Sequence, residues 1–390
     1  MRTKAIGVLA MVLSFGLATS VFAGTAVTVS ETEQSGVVAA AANQAIAPES
    51  QNLPIETHIG GHIKLGIFDR VNGTSYYAPN QKFDLTKSYG VAFKEFDLYV
   101  SGKINEWLSF EVDPKFSAST GATPKIGVST TPTATAPAFS GFSHGKAVVI
   151  FALPGEVEME IGAVHPIFTA EYGRELFWDD EINSGKFAAN NNVGSVHDNG
   201  IQIYRNFDFG SISMPVYLYY LNGGSTDGFS DVNNEPGAML HIEPTLGPLT
   251  LLGSIYGTRY DAAEKLAWTK WSAGGIFVWE GLTLRSEFVK GKQEKAISVS
   301  QDANSEGYYA KVLYKVLPWL QLMIHHETVL ENASVPGKAA KYILNAPGAQ
   351  IFLADSAILE LAVDIADFRL TDNSKKVIYT RPSISMRITF

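Results

Sequence analysis

The chain contains no cysteine, so neither a disulfide framework nor a thiolate metal site is open to it. Beyond the first residues it has no apolar run approaching the roughly 20 residues that a membrane-spanning helix needs. Basic residues are few: 30 Lys and Arg against 39 Asp and Glu leave a net charge of −9, which excludes a role built on neutralising nucleic-acid phosphates. No serine stands on a strand-to-helix turn as in a nucleophile elbow, and no Gly-rich phosphate loop opens a helix, so the reading is a non-enzyme without cofactor or metal. His325 and His326 are adjacent in a stretch of two-residue period, hence on opposite faces and unable to grip one ion together.

What the chain does have is alternation. The last ten residues place Ile384, Met386 and Ile388 on one face and Ser383, Ser385 and Arg387 on the other, and end on Phe390. A soluble sandwich strand could carry the same alternation, but the terminal aromatic resembles the closing strand of bacterial outer-membrane β-barrels. The resemblance implies that Ile384, Met386, Ile388 and Phe390 form a signal read by the barrel-assembly machinery. An apolar fraction of 46%, a mean hydropathy of +0.04 and 35 Gly suit a wall in which only alternate residues meet lipid.

From His58 onward the same period recurs at 58–68, 91–104, 107–117, 144–153, 156–166, 198–207, 211–222, 236–246, 249–259, 268–279, 282–291, 306–316, 319–329, 340–353, 356–368 and 377–390. Eleven residues of tilted strand span roughly 28 Å, the height of an outer-membrane apolar band. The segments predict an all-β, antiparallel, up-and-down transmembrane barrel of about 16 strands, in contact with outer-membrane lipid. Pro347 interrupts the segment at 340–353. Very short turns alternate with long loops, which puts the short turns at the periplasm, and Trp107, Trp279 and Trp319 stand beside them as interfacial anchors.

Three regions are expected: a signal peptide at 1–23, a periplasmic lead-in or short helix at 24–57, and the barrel at 58–390. Arg2 and Lys4 precede the apolar stretch Ala5 to Leu17, and Val21-Phe22-Ala23 offers a cleavage site; a retained anchor is the alternative. Removal of Arg2 and Lys4 takes the charge from −9 to −11. Between Gly24 and Thr57 the chain is mostly small and polar.

The third long loop, Ile167 to His197, carries Glu171, Glu175, Asp179, Asp180 and Glu181 with Arg174 among them. It is either a solvated surface loop or one folded into the lumen, where it would set the size and field of a pore. Just before it, Ile161-Gly162-Ala163-Val164-His165-Pro166-Ile167-Phe168 leads into Glu171, and Asp198-Asn199-Gly200-Ile201-Gln202-Ile203 and Tyr219-Tyr220-Leu221-Asn222-Gly223 follow. These segments resemble the phosphate-selective porin family, which implies a sixteen-stranded, homotrimeric passive channel for small hydrophilic solutes or ions.

The family's anion preference does not match the charges. By alternation Glu95, Asp97, Glu111, Asp113, Glu158, Glu160 and Glu287, with Glu327, Glu360 and Asp364, face water, against Lys103, Lys115, Arg285, Lys311, Arg381 and Arg387. A phosphate path needs a ladder of Arg or Lys, and outside the signal peptide the chain has only Arg70, Arg174, Arg205, Arg259, Arg285, Arg369, Arg381 and Arg387. The expectation is therefore a general porin with a mild preference for cations. Alternatives are an anion- or phosphate-selective channel, a sugar channel using Tyr99, Tyr204, Tyr217 and Tyr219 as a slide, or a barrel sheathing a partner such as a cytochrome.

Overall fold

The computed structural model describes residues 56–77, 81–89, 92–119, 138–170, 196, 198–222, 235–259, 266–298, 301–331, 340–370 and 375–390. The expected signal peptide and the lead-in up to residue 55 lie outside them. The regular elements among the described residues are all β-strands: β1 (Glu56–Tyr77), β2 (Gln81–Tyr89), β3 (Ala92–Asn105), β4 (Leu108–Ser119), β5 (Ala138–Leu153), β6 (Val157–Val164), β7 (Asp198–Phe209), β8 (Ile212–Leu221), β9 (Gly237–Ile242), β10 (Thr245–Leu246), β11 (Leu249–Arg259), β12 (Ala267–Trp279), β13 (Leu282–Ser298), β14 (Gln301–Leu317), β15 (Leu320–Glu331), β16 (Ala340–Ala354), β17 (Ala357–Leu370) and β18 (Lys375–Thr389). Both β2 and β3 pair with successive parts of β1, and both β9 and β10 lie between β8 and β11. Each couple is thus one wall strand, and the wall has sixteen.

Every neighbouring pair is antiparallel, and β1 closes the ring on β18 from His62↔Thr389 to Tyr77↔Lys375. Closure leaves no open edge, which hydrocarbon would punish at several kcal/mol per unpaired backbone group. Phe390 completes the seam: its N–H and C=O exchange hydrogen bonds with Gly61 at 3.0 Å each, and its ring stacks on Phe96 at 6.3 Å. A Cβ on Gly61 would stand 2.3 Å from the Asp97 carbonyl and 3.0 Å from the Phe390 ring, so this position tolerates only glycine.

The tight turns carry the backbone chemistry that short hairpins demand. Gly155 and Glu156, and likewise Glu280 and Gly281, take positive φ in succession, as two-residue mirror-image turns require. Pro347 keeps its place in β16. Opposite β17 the pairing lapses between Asn345↔Ile365 and Gly348↔Ala362, because a proline has no N–H to donate.

Alternation then sorts the side chains. Outward residues have no neighbour across the wall and stay exposed, such as Ile203, Leu251, Ile255 and Ile324 at 40% or more. Inward ones are shielded by their neighbours: Ser383, Ser385 and Arg387 are buried, while Ile384, Met386 and Ile388 point outward, as the terminal strand predicts. Trp107, Trp279 and Trp319 are all more than half exposed beside the short turns. Further up the outer face, Tyr308, His326 and Asn345 form a hydrogen-bonded cluster (His326 Nε2 to Tyr308 Oη 3.2 Å, Nδ1 to Asn345 Oδ1 2.8 Å). The two groups bracket the apolar band with polar-tipped rings on both sides.

Candidate functional site

The inner face is polar at mid-height. Among the described residues ten inward carboxylates are buried (Asp97, Glu111, Asp113, Glu160, Asp198, Glu243, Glu287, Glu327, Glu360 and Asp364), against four buried Lys or Arg side chains (Lys270, Arg285, Lys311 and Arg387), with Lys64 and Lys146 half-buried beside them. Neighbouring strands join them into short networks. Lys146 Nζ donates to Glu111 (3.1 Å) and to Glu160 (2.8 Å), bridging β4, β5 and β6. At the seam, Lys64 lies 3.1 Å from Glu360, which also accepts from Ser385 at 3.0 Å and has Arg387 at 3.8 Å. Pairing of this kind gives each shielded carboxylate a cation or a hydrogen-bond donor in place of water.

Of the lumen charges expected from alternation, Asp97, Glu111, Asp113, Glu160, Arg285, Glu287, Lys311 and Arg387 are buried inward, and Glu158 is half-buried on the same face. Lys103, Glu111, Glu158 and Tyr99 line a recess of about 330 Å³ next to Trp107 at the short-turn rim. The backbone of Glu95 lies in β3, but its side chain is outside the described ones. Glu171, Arg174, Glu175, Asp179, Asp180 and Glu181 all fall outside the described residues. His325 and His326 do point apart: His325 Nε2 lies 3.2 Å from Glu327 inside, and His326 belongs to the outer cluster. No group of three potential metal ligands occurs among the described residues.

The entry to the third loop is the part of the site with the most specific geometry. Gly162, at φ 140°, faces Gly200 across the β6–β7 ladder, and at each a Cβ would collide with the next strand's backbone at 2.2 Å or less. Pro166 cannot donate to a ladder, so β6 stops and the chain leaves the wall. Phe168 N donates to Pro166 O at 3.0 Å, a tight turn that aims the strap inward. Phe168, Thr169 and Ala170 are then at most 1% exposed.

This strap is tied to four strands across the bore. Ile167 N donates to the Tyr219 hydroxyl on β8 (3.2 Å). Phe168 O accepts from Ser254 of β11 (2.7 Å) and Ser272 of β12 (3.0 Å). Ala170 N donates to Glu287 of β13 (2.9 Å). Counting β9 and β10 as one, β13 stands six wall strands round the ring from β6, so within a few residues the chain reaches the facing wall. The Phe168 ring lies 5.1 Å from Lys270 Nζ, which Trp268 (4.7 Å) and Tyr256 (5.5 Å) also surround. Behind Ser254 sits His241, with Nδ1 at 2.6 Å from Ser254 Oγ and Nε2 at 2.7 Å from Glu243. The Ser254 proton goes to the Phe168 carbonyl, so this Ser-His-Glu row is arranged as a tether and its hydroxyl is not poised as a nucleophile.

Sequence reading by alternation placed eight of the ten buried acids, missing Asp198 and Glu243, and it missed these anchors. Ser254, Ser272 and Lys270 sit on the inward parity of their strands, a usable signal, yet their partner Phe168 is 86 to 104 residues away. Tyr219, considered there as part of a sugar slide, serves as a strap anchor, while Tyr204 and Tyr217 remain in contact at 4.8 Å.

No protein-family model matches the chain, and no curated protein matches it. Among solved structures it is similar to the outer-membrane channel DcaP of Acinetobacter baumannii (TM-score 0.54, 13% identity, 86% of this chain and 97% of that one). It is likewise similar to the trimer form of OmpT, an outer membrane protein of Vibrio cholerae (0.51, 11%, 86% and 99%). A third is Salmonella typhi OmpF, solved in complex with daunomycin (0.52, 11%, 86% and 97%). At these identities the likeness is one of fold: this chain is a closed outer-membrane-type β-barrel over nearly the whole length of each.

Proposed function

We propose that this barrel sits in the bacterial outer membrane and is a porin: a water-filled channel through which small hydrophilic solutes and ions diffuse passively, cations ahead of anions. The carrying observation is that, among the described residues, ten buried inward carboxylates stand against four buried Lys or Arg, with Lys64 and Lys146 half-buried beside them. Fixed negative charge in a low-dielectric bore enriches counter-ions and depletes co-ions, more strongly as salt is lowered. The same imbalance counts against a phosphate path, since a dianion needs a run of cationic donors to replace its water. The phosphate-selective family likeness is thus kept for fold and architecture, and not for selectivity.

The strap at 165–170 narrows the bore, and Glu171, Arg174, Glu175, Asp179, Asp180 and Glu181, next along the chain, are the charges we assign to the pore-constriction loop. A bore already crossed by the strap argues against a sheath around a folded partner such as a cytochrome. A homotrimer fits the trimeric form in which one structural neighbour was solved. Single-channel recording in planar bilayers tests the reading: stepwise ohmic currents are expected, and a folded barrel that inserts without conducting would contradict it.

A further inference from the structure

The tether behind the strap contains a proton whose place is fixed by the hydrogen-bond directions. Ser254 has one hydroxyl proton, and it is given to the Phe168 carbonyl at 2.7 Å. Toward His241 the same oxygen can therefore only accept, so Nδ1 carries a hydrogen. On the other side of the ring Nε2 lies 2.7 Å from Glu243 Oε1, a separation that two bare lone pairs would not hold. One more proton must sit between Nε2 and Glu243.

We propose that the His241–Glu243 pair is a proton-operated latch on the constriction strap, closed while that proton is present and released when it is lost. This rests on the channel reading. With the proton in place, the imidazole is held on both sides and presses Ser254 onto the Phe168 carbonyl. When the proton passes to water in the bore, the imidazole keeps one hydrogen: held on Nε2 it stays with Glu243, Nδ1 is left bare, and the Ser254 hydroxyl turns its proton from the Phe168 carbonyl to Nδ1. The carbonyl then keeps Ser272 as its remaining hydroxyl. Acid cannot open the latch, because protonating Glu243 still leaves Nε2–H an oxygen to donate to. The strap loosens only as pH rises, and the bore widens.

Other titratable groups stand close by: Tyr217 and Tyr219 on β8, Tyr256 on β11, Lys270 on β12 and Glu287 on β13. The test must therefore separate the imidazole from them. Single-channel conductance of the full-length protein is recorded in about 1 M KCl, where surface charge is screened, from about pH 5 to about pH 10. The wild-type protein is expected to step up about two-fold on the alkaline side. His241→Gln, which can still hydrogen-bond but not titrate, loses the step, as does Ser254→Ala, which uncouples the ring from the strap. His325→Gln, altering the other buried His-Glu pair, keeps it. Folding of each variant is checked by heat-modifiable gel migration.

An alkaline step that survives in whichever of His241→Gln or Ser254→Ala folds overturns the latch, and so does a wild-type channel that conducts with no step. A wild-type barrel that never conducts counts against the channel reading itself and is thereby told apart.

Discussion

The bore has two inward-facing regions, built by the same alternation and opposite in chemistry. On β13, β15, β16 and β17, Arg285 and Glu287, His325 and Glu327, Gln350, and Glu360 and Asp364 form a charged belt. One to three inward positions nearer the long-loop rim, the same strands carry Val289, Val329, Ala346 with Leu344, and Ala366. These join Leu221, Met239, Tyr256 and Tyr342 in one apolar cluster, and that cluster also contains Phe168 and Val196. The belt is charged; the collar is apolar and holds the two described ends of the third loop. A barrel strand thus has two kinds of surroundings on its inner side, charged side chains of neighbouring strands at one height and inserted chain at another.

Breaking the collar should have the largest effect. Val289 is fully buried, and Val289→Asp places an unpaired carboxylate in the apolar cluster, with an expected cost of about 3 kcal/mol or more in urea unfolding. A loss indistinguishable from that of an exposed outer-face substitution would show the collar to be wet.

Phe168→Ala ranks next. It removes the Phe168 ring from the cluster and from Lys270, at an expected cost of about 2–3 kcal/mol, with water filling the gap and limiting the loss. Single-channel conductance should rise at the same time. Destabilisation without any change of conductance would mean that the strap does not limit the bore.

The smallest effect is expected outside both regions. Asp302 lies on the long-loop side of Tyr308 and accepts from Lys295 N and Lys292 Nζ, each at 3.0 Å, which holds its carboxyl below the usual carboxylate range. A depressed folded value adds stability at neutral pH that is lost as pH falls through it. At so exposed a site solvent screens most of this, so Asp302→Asn should leave the thermal midpoint and conductance nearly unchanged at neutral pH.

Much of the wall was legible in the sequence. Sixteen segments, the tight turns and the inward placing of Asp97, Glu111, Glu287 and Arg387 all follow from a period of two, because lipid demands apolar side chains on one face only. The collar was not legible, and the reason is physical. Where inward residues pack against inserted chain, both faces turn apolar, as in Gly237-Ala238-Met239-Leu240 or Tyr342-Ile343-Leu344, and alternation loses its contrast. The Lys146 bridge and the His241 tether escaped for another reason: each joins residues of different strands, and sequence spacing does not encode registers across the wall.

The central claim is that the excess of inward carboxylates around the wall sets the field in the bore, and reversal potential across a bilayer under a KCl gradient reads that field directly. The expected potential has the sign of potassium permeating faster than chloride. It should shrink as salt is raised and shrink about two-fold in permeability ratio in a Glu111→Gln, Glu160→Gln variant that leaves Lys146 unopposed. A potential of chloride-selective sign in the wild-type channel would contradict the account.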